Sequence, residues 1–251
     1  MENLMSEAAP RPVQLSDEMR AQLNSVSTAT IVSQLQRRGI RSTFLSGLKP
    51  IKEGQRMLGY AHTLRYVPMR EDLQATLSAG LNAQRRAVES ITTDEVLVIE
   101  ARNEPDAGTI GDIFANRAQR LGASGVVTDG ALRDTPAIRR LGLAVYHRSS
   151  HAATLQRLHL PLDHQVTIAC AGVTVVPGDI IVGDDEGVVV IPAALAEEVA
   201  AASVQMEVEE EWAFERVTAG DSSVGTFPIA EERRDEFEAW LAARVAASKG
   251  G

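Results

Sequence analysis

The apolar and polar residues of the first 160 positions alternate in a way that predicts short helices and strands. Residues 16–39 begin with a serine, carry apolar residues at helical spacing and end in Arg-Arg-Gly, which predicts one or two amphipathic helices. Further on, the pattern predicts strands at 57–67, 94–101, 124–130 and 143–147, helices at 79–91, 112–122 and 135–142, and a loop at 102–111. Such alternation is typical of βαβ units and a parallel sheet.

The pattern changes after Pro161. Residues 165–192 form short apolar runs separated by turn residues, which predicts an antiparallel or mixed β layer, and two long helices are predicted at 193–217 and 230–245. The expected fold class is therefore α/β, with one structural domain in three segments. These segments are an N-terminal helical arm at 1–45, an α/β catalytic core at 46–192 and an acidic C-terminal helical extension at 193–251.

Composition and charge narrow the possible functions. Residues 193–251 hold 13 acidic and 5 basic residues, so this extension carries most of the net charge of −9. Neither part has the basic stripe that binds phosphate backbones, so we expect no nucleic-acid partner.

The N-terminus does not resemble a secretory signal, and no stretch approaches the roughly 18 apolar residues of a membrane span, so a cytoplasmic location without membrane binding is expected. Cys170, the single cysteine, is expected in the core.

Charged residues cluster where two predicted parallel strands end. Gly108 and Gly111 precede the helix at 112–122, so the free N–H groups of its first turn point to the sheet edge where α/β folds bind ligands. Arg133 and Asp134 follow the next strand and reach the same edge. The helix is expected to place Ile113, Phe114, Ala118 and Leu121 on its apolar side, with Asp112 at its start.

This combination suits the chemistry of a 2-oxo acid. Asp134 beside a ligand site suits a hard cation such as Mg²⁺, which takes a few protein oxygens and keeps positions for water and substrate. Arg133 would add positive charge where an enolate oxygen develops. A simpler interpretation stays open, in which Asp134 only caps the following helix, Asp129-Gly130 is only a turn and Gly111-Asp112 is only a helix start.

Other candidates have structural interpretations that we favour. The five histidines include no H-E-x-x-H motif, and residues 184–187 are expected to form a hairpin turn with a solvated acid cluster. Trp212 and Phe214 are expected to make packing or subunit contacts. Solvated or structural roles are expected for three arginines that could also pair with a distal substrate carboxylate, namely Arg65, Arg70 and Arg148.

The motifs "GDIFANRAQRLGASGVVTDGALRD" and "GVTVVPGDIIVGDDEGVVVIP" carry a family resemblance. The chain resembles, over about 58–192, the family that joins the regulator of ribonuclease activity A to class II pyruvate aldolases. These aldolases act on 4-hydroxy-4-methyl-2-oxoglutarate and 4-carboxy-4-hydroxy-2-oxoadipate. The resemblance implies a swivelling layered α/β/β domain, here with helical extensions at both ends, assembled as a homotrimer or as a dimer of trimers (a hexamer).

The resemblance also implies roles for individual residues. The backbone of Gly111, Asp112, Ile113 and Phe114 would hold the pyruvate moiety of the substrate. Arg133 would lie beside the keto oxygen, and Asp134 would bind Mg²⁺ or Mn²⁺ directly. Asp112 would position a metal-bound water that is a candidate proton carrier. In aldolases of this kind an acid from a neighbouring subunit reaches the site, and this chain offers Glu207, Glu209, Glu210 and Glu211.

These expectations favour a divalent-metal-dependent lyase that cleaves a 4-hydroxy-2-oxo acid to pyruvate, with oxaloacetate decarboxylation as a side activity. Two alternatives stay open. The chain would instead be a non-catalytic regulator that binds another protein through its acidic extension, or a hydratase or decarboxylase of sugar-derived 2-oxo acids.

Overall fold

The N-terminal segment forms two short helices that are capped by serines. The computed structural model describes residues 11–249, so the first ten residues of the predicted arm and the last two residues of the chain lie outside the described part. Helix α1 spans Asp17–Ser25 and helix α2 spans Thr28–Arg37. The Oγ atoms of Ser16 and Ser27 accept hydrogen bonds from N–H groups in the first turns, as preferred at helix starts.

A nine-stranded mixed sheet forms the centre of the fold. Its strands are β1 (Lys49–Pro50), β2 (Met57–Pro68), β3 (Glu95–Glu100), β4 (Gly108–Ile110), β5 (Gly125–Leu132), β6 (Ala144–Ser150), β7 (His159–His164), β10 (Ile180–Gly183) and β11 (Val188–Ile191). They are arranged in the order β1-β6-β5-β3-β2-β10-β11, with β4 paired to β5 and β7 paired to β2. The pairs β2–β3, β3–β5, β4–β5 and β5–β6 are parallel, and the other pairs are antiparallel. The prediction that strands at 94–101 and 124–130 are parallel neighbours is confirmed.

Helices and a small ribbon cover the two faces of this sheet. A separate antiparallel pair, β8 (Ile168–Cys170) and β9 (Val173–Val175), packs on one face, where Cys170 is buried as expected. The helices are α3 (Glu71–Leu77), α4 (Ala83–Glu89), α5 (Asp112–Arg120), α6 (Thr135–Leu141), α7 (Ala196–Thr218) and α8 (Arg234–Lys249). Residues of α4, α5 and α6 share one apolar core with the parallel strands, whereas α1, α2 and α7 pack on β2, β10 and β11.

The expected turn at Asp129-Gly130 is wrong, because β5 continues through both residues to Leu132. Strand β3 pairs with β5 up to Thr128, and the short strand β4 takes over the parallel pairing from Ala131. The predicted loop at 102–111 therefore contains a strand, β4. A side chain at Gly130 would lie 2.7 Å from both Ala101 Cβ and Thr109 Cγ2, so the absence of a Cβ lets β5 pass between the two partners.

Asp129 holds three chain segments together. Its side chain is fully buried, and its carboxylate accepts hydrogen bonds from the N–H groups of Ala101, Asn103 and Ala171. Burial raises the pKa of Asp129, and these backbone donors oppose that shift. The residue therefore has a structural role at the place where β3 ends and β4 begins.

We expect Asp129→Asn to lower the free energy of unfolding by about 2–3 kcal/mol, since an amide NH₂ would face backbone donors that now bind a carboxylate oxygen. Chemical denaturation would measure the loss. Asp106→Asn, at an exposed acid of the 102–107 loop, is the matched control and should change stability by less than about 0.5 kcal/mol. Equal stabilities of Asp129→Asn and the control would contradict this role of Asp129.

The hairpin between β10 and β11 confirms the expected turn at 184–187, but its acids are not all solvated. The Asp184 carboxylate accepts hydrogen bonds from the N–H and hydroxyl groups of Thr28 at 2.8 Å each, and it lies 3.6 Å from the Arg56 guanidinium. Asp184 therefore joins the hairpin to the start of α2.

The C-terminal helices α7 and α8 pack against each other around Trp212, which is buried edge-on against Phe237. Phe214 points outward with 75% of its surface exposed. The four glutamates considered for a neighbouring site contact their own chain: Glu207 accepts from the Ser27 N–H, Glu209 pairs with Arg234, Glu210 is hydrogen-bonded to Thr30 and Glu211 pairs with Arg244. Among residues 11–249, no helix is long and apolar enough to cross a membrane.

Candidate active site

The start of helix α5 lies at the carboxyl edge of the parallel strands. Strand β4 leads into Gly111, which is the N-cap of α5 and has an extended backbone. No side chain caps the helix there. The first N–H groups of α5, at Asp112, Ile113 and Phe114, are therefore available to an anionic ligand at this end of the helix.

Asp134 reaches the same point from the end of β5. It has a left-handed backbone with φ of 53°, and its side chain makes no capping hydrogen bond to α6. Asp134 is thus the N-cap residue of α6, as the simpler interpretation held, but its carboxylate does not make the capping bond and is left for another partner. A Cβ built on Gly111 would lie 2.7 Å from Asp134 Oδ2, so the carboxylate lies directly over the start of α5. A non-glycine residue in this conformation costs free energy, and such strain concentrates at functional sites.

Arg133 is fixed at its backbone and at Nε but has a free end. Its N–H donates to the Ile110 carbonyl and its Nε donates to the Ala152 carbonyl, both at 3.0 Å. A Cβ on Gly108 would overlap the Arg133 side chain, so this glycine gives the arginine its room. Within residues 11–249, neither terminal nitrogen of Arg133 has a hydrogen-bond or ion-pair partner. The guanidinium can therefore bind an oxygen pair of a ligand.

One open cavity of about 410 Å³ brings all the predicted site residues together. Its lining includes Gly111, Asp112, Ile113, Phe114, Arg133 and Asp134. Ile113 does not turn to the core as expected: 77% of its surface is exposed, and Ala115 and Ala118 form the buried side of α5. This exposure leaves an apolar residue at the rim of a charged cavity.

The cavity wall contains buried polar residues that the sequence did not reveal. Gln84 Nε2 and the Tyr66 hydroxyl both donate to the Thr109 carbonyl, at 2.7 and 3.0 Å, and so fix β4 beside the cavity. His159 is fully buried and also lines the cavity. Burial and the Arg102 guanidinium, 3.2 Å from Nδ1, lower the pKa of His159 to about 4.

His159 is therefore a neutral imidazole near pH 7. Because a guanidinium only donates, Nδ1 of His159 is the acceptor in its contact with Arg102, and Nε2 carries the ring proton. In the described part of the chain, Nε2 has no hydrogen-bond partner. This atom is itself shielded from solvent, so His159 forms part of the cavity wall rather than an open contact for a ligand.

The three arginines considered for a distal carboxylate are engaged elsewhere, as favoured. Arg65 pairs with Glu100, Arg70 pairs with Asp72, and Arg148 donates to the carbonyl of Asp129 and to Asn103. None of the three lines the cavity described above. The arginine that does line it, besides Arg133, is Arg85 of α4.

The position of Asp134 over Gly111 leads to a direct test. We expect Gly111→Ala to displace the Asp134 carboxylate and to weaken binding of Mn²⁺ about 10-fold or more, because positions that orient a metal ligand have effects of this size. Isothermal titration calorimetry with MnCl₂ would measure the affinity. Asn116→Ala, on the exposed side of the same helix, is the control. Wild-type affinity in Gly111→Ala would contradict the expectation that Asp134 binds the metal.

The fold and the cavity define a class of mixed α/β protein with a charged site at the end of parallel strands. Within that class, the chain belongs to the RraA-like family, since residues 28–190 match the family model described as Aldolase/RraA. The family resemblance and the fold class inferred from the sequence are thus confirmed.

Named relatives match different shares of the chain. DlpA of Legionella pneumophila is 29% identical over 220 residues, which are 88% of this chain and 34% of DlpA, so the chain spans about a third of that protein. A Halalkalibacterium halodurans protein, provisionally named a 4-hydroxy-4-methyl-2-oxoglutarate aldolase, is 30% identical over 167 residues. That match covers 66% of this chain and 74% of the relative.

Solved structures agree with the fold. Streptomyces coelicolor RraAS2, described as an unusual member of the RNase ES inhibitor RraA protein family, superposes with a TM-score of 0.74 at 33% identity. The match covers 83% of this chain and 99% of RraAS2. An uncharacterized protein from Pseudomonas syringae pv. tomato has a TM-score of 0.72 at 24% identity, covering 86% and 98% of the two chains, and shows the fold alone. The family thus includes proteins named as aldolases and as ribonuclease inhibitors.

Proposed function

We propose that this protein is a divalent-metal-dependent lyase, a class II pyruvate aldolase that cleaves a 4-hydroxy-2-oxo acid. The observation that carries the proposal is the convergence of the α5 start, the free end of Arg133 and the carboxylates of Asp112 and Asp134 on one cavity. The name of the Halalkalibacterium halodurans relative supports the same class of reaction.

The chain's own groups suit the pyruvate part of such a substrate. The N–H groups of Asp112, Ile113 and Phe114 would bind its carboxylate at the positive end of α5. The Arg133 guanidinium would bind the C2 oxygen, and its stabilising effect would grow as negative charge develops on that oxygen. The carboxylate of Asp112 would position the water that is the candidate carrier of the proton.

Asp134 would hold Mg²⁺ or Mn²⁺ directly, and Asp112, which lines the same cavity, would position a water beside it. The Asp134 side chain fits a hard cation because such ions prefer carboxylate oxygens. A magnesium ion takes one or two protein carboxylates and keeps its other positions for water and substrate. When bound, the ion supplies Lewis acidity towards the keto group.

The bond changes balance without a redox partner. The C4 hydroxyl loses its proton, the C3–C4 bond breaks to give a carbonyl product, and its electron pair forms the enolate of pyruvate. A proton delivered to C3 then yields pyruvate. Oxaloacetate would pass through the same enolate when its C3–C4 bond breaks and CO₂ leaves, so oxaloacetate decarboxylation is the proposed side activity.

The test uses the purified protein after treatment with EDTA and removal of the chelator. Oxaloacetate is added with and without Mg²⁺ or Mn²⁺, and pyruvate is followed with a coupled lactate dehydrogenase assay. We expect a protein-dependent and metal-dependent rate above the metal-only blank. No such rate with oxaloacetate or with 4-hydroxy-2-oxoglutarate would overturn the proposal.

A second candidate is a protein-binding regulator, which the description of RraAS2 favours. The acidic helices α7 and α8 would then form the binding surface, and binding would weaken as salt screens their charge. In that case Asp134→Ala would leave binding of the protein partner unchanged, whereas the lyase would lose its activity.

We also propose assembly as a homotrimer or a dimer of trimers. The family resemblance described above supports this assembly, and Ile113 at the cavity rim and Phe214 on α7, each at least 75% exposed, are apolar side chains that subunit contacts would cover. Light scattering coupled to size-exclusion chromatography would give the mass, and a monomer across the working concentration range would contradict this assembly.

A further inference from the structure

Arg85 of α4 is a cation in the cavity wall that lacks an acidic partner. It lines the same cavity as Arg133 and Asp134, and its guanidinium lies over the Phe114 ring, 5.5 Å from the ring centroid. Across residues 11–249, no carboxylate pairs with Arg85 and no acceptor binds its guanidinium. The cation–π contact positions the group without neutralising its charge.

The neighbouring arginines differ from Arg85 in this respect. Arg86, the next residue of α4, donates to the Leu81 carbonyl at 2.7 Å, and Arg117 of α5 makes a two-pronged ion pair with Glu89. Neither of these two arginines lines the cavity. A guanidinium that faces a cavity without its own counterion offers donors to an anionic group of a ligand.

The contact with Phe114 places Arg85 relative to the rest of the site. The Phe114 N–H is the third of the N–H groups at the start of α5, and the Asp134 carboxylate lies over the first residue of that start, Gly111. The Phe114 ring packs against the apolar core on one side and meets the guanidinium of Arg85. A ligand whose 2-oxo acid group occupies the α5 start therefore has Arg85 beside it on the α4 side of the cavity.

We propose that Arg85 binds the distal carboxylate of the substrate and so makes the site selective for 2-oxo acids with a second anionic group over those that end in an alkyl group. This inference rests on the proposed function, because it needs the 2-oxo acid group to lie at the start of α5. It assigns to Arg85 the role that the sequence left open among Arg65, Arg70 and Arg148, each of which has another partner.

A binding experiment tests selectivity without turnover. The probes are 2-oxoglutarate and 2-oxopentanoate, which have the same chain length and differ only in the distal carboxylate; neither has the 4-hydroxyl group that cleavage needs. Isothermal titration calorimetry in Mg²⁺ would give both dissociation constants. We expect the wild type to prefer 2-oxoglutarate and Arg85→Gln to reduce that preference about 10- to 100-fold, the effect expected for a charge-assisted contact.

Two variants complete the design. Arg85→Lys keeps the charge without the planar fork and should retain part of the preference. Arg86→Gln changes the adjacent arginine outside the cavity and should leave the ratio of dissociation constants as in the wild type. An equal affinity of the wild type for both probes, or a preference unchanged in Arg85→Gln, would overturn the role of Arg85.

Turnover of a matched pair of cleavable substrates separates this inference from the proposed function. The pair is 4-hydroxy-2-oxoglutarate and 4-hydroxy-2-oxopentanoate, both of which release pyruvate. If the wild type cleaves both substrates with equal kcat/KM and Arg85→Gln does not change the ratio of the two values, Arg85 has no role in selectivity. The proposed lyase activity would still be supported by that result. If 2-oxoglutarate binds selectively through Arg85 but neither cleavable substrate is turned over, the anion-binding role of Arg85 is supported. The proposed lyase activity would then be contradicted.

Discussion

Asp134→Ala is expected to reduce metal-dependent release of pyruvate by at least about 10³-fold, equivalent to about 4 kcal/mol of transition-state stabilisation. The reason is that Asp134 is the carboxylate placed over the start of α5, where it would hold the divalent cation that supplies Lewis acidity. Steady-state rates across a range of Mn²⁺ concentrations would measure the loss. Mn²⁺ affinity, measured by calorimetry, should fall in parallel.

Two further variants separate loss of a ligand from loss of structure. Asp134 has a left-handed backbone, which asparagine tolerates better than alanine does, so Asp134→Asn should fold like the wild type and still lose most of its activity. Asp235→Ala, at an exposed acid in the first turn of α8, should retain the wild-type rate. Unchanged turnover in Asp134→Ala would remove Asp134 from the proposed metal site.

The apolar runs of the chain were sufficient to predict the parallel strands, because strands buried on both faces appear as nearly continuous hydrophobic segments. The run at 94–101 became β3, which is buried along most of its length. The same logic failed at β4, since its three residues lie in a stretch of turn-forming residues and become a strand only because β5 extends beyond the end of β3. Asp129 was misinterpreted for the same reason: its three backbone partners lie 26 to 42 residues away.

Some residues of the candidate site could also be predicted from the sequence, and others could not. Arg133 and Asp134 adjoin a predicted strand end, and Asp112 adjoins a glycine-rich helix start. The predicted ends of these elements are therefore sufficient to place all three residues at one edge of the sheet. Arg85 and His159 come from segments with no local sign of a ligand site. His159 is placed in the cavity wall by the antiparallel pairing of β7 with the far end of β2, which no motif in the sequence indicates.

Arg133→Ala is expected to lower kcat/KM for pyruvate release by about 10²- to 10³-fold, the usual effect of removing one group that stabilises a developing oxyanion. Because the negative charge on the C2 oxygen grows only as the C3–C4 bond breaks, most of the loss should appear in kcat rather than in KM. Arg133→Lys keeps a positive charge but not the Nε donor to the Ala152 carbonyl that orients the side chain, so a partial rate is expected. Arg140→Ala, at an exposed arginine of the adjacent helix α6, is the control. A rise in KM alone would make Arg133 a ground-state binding residue, and an unchanged rate would exclude it from the reaction.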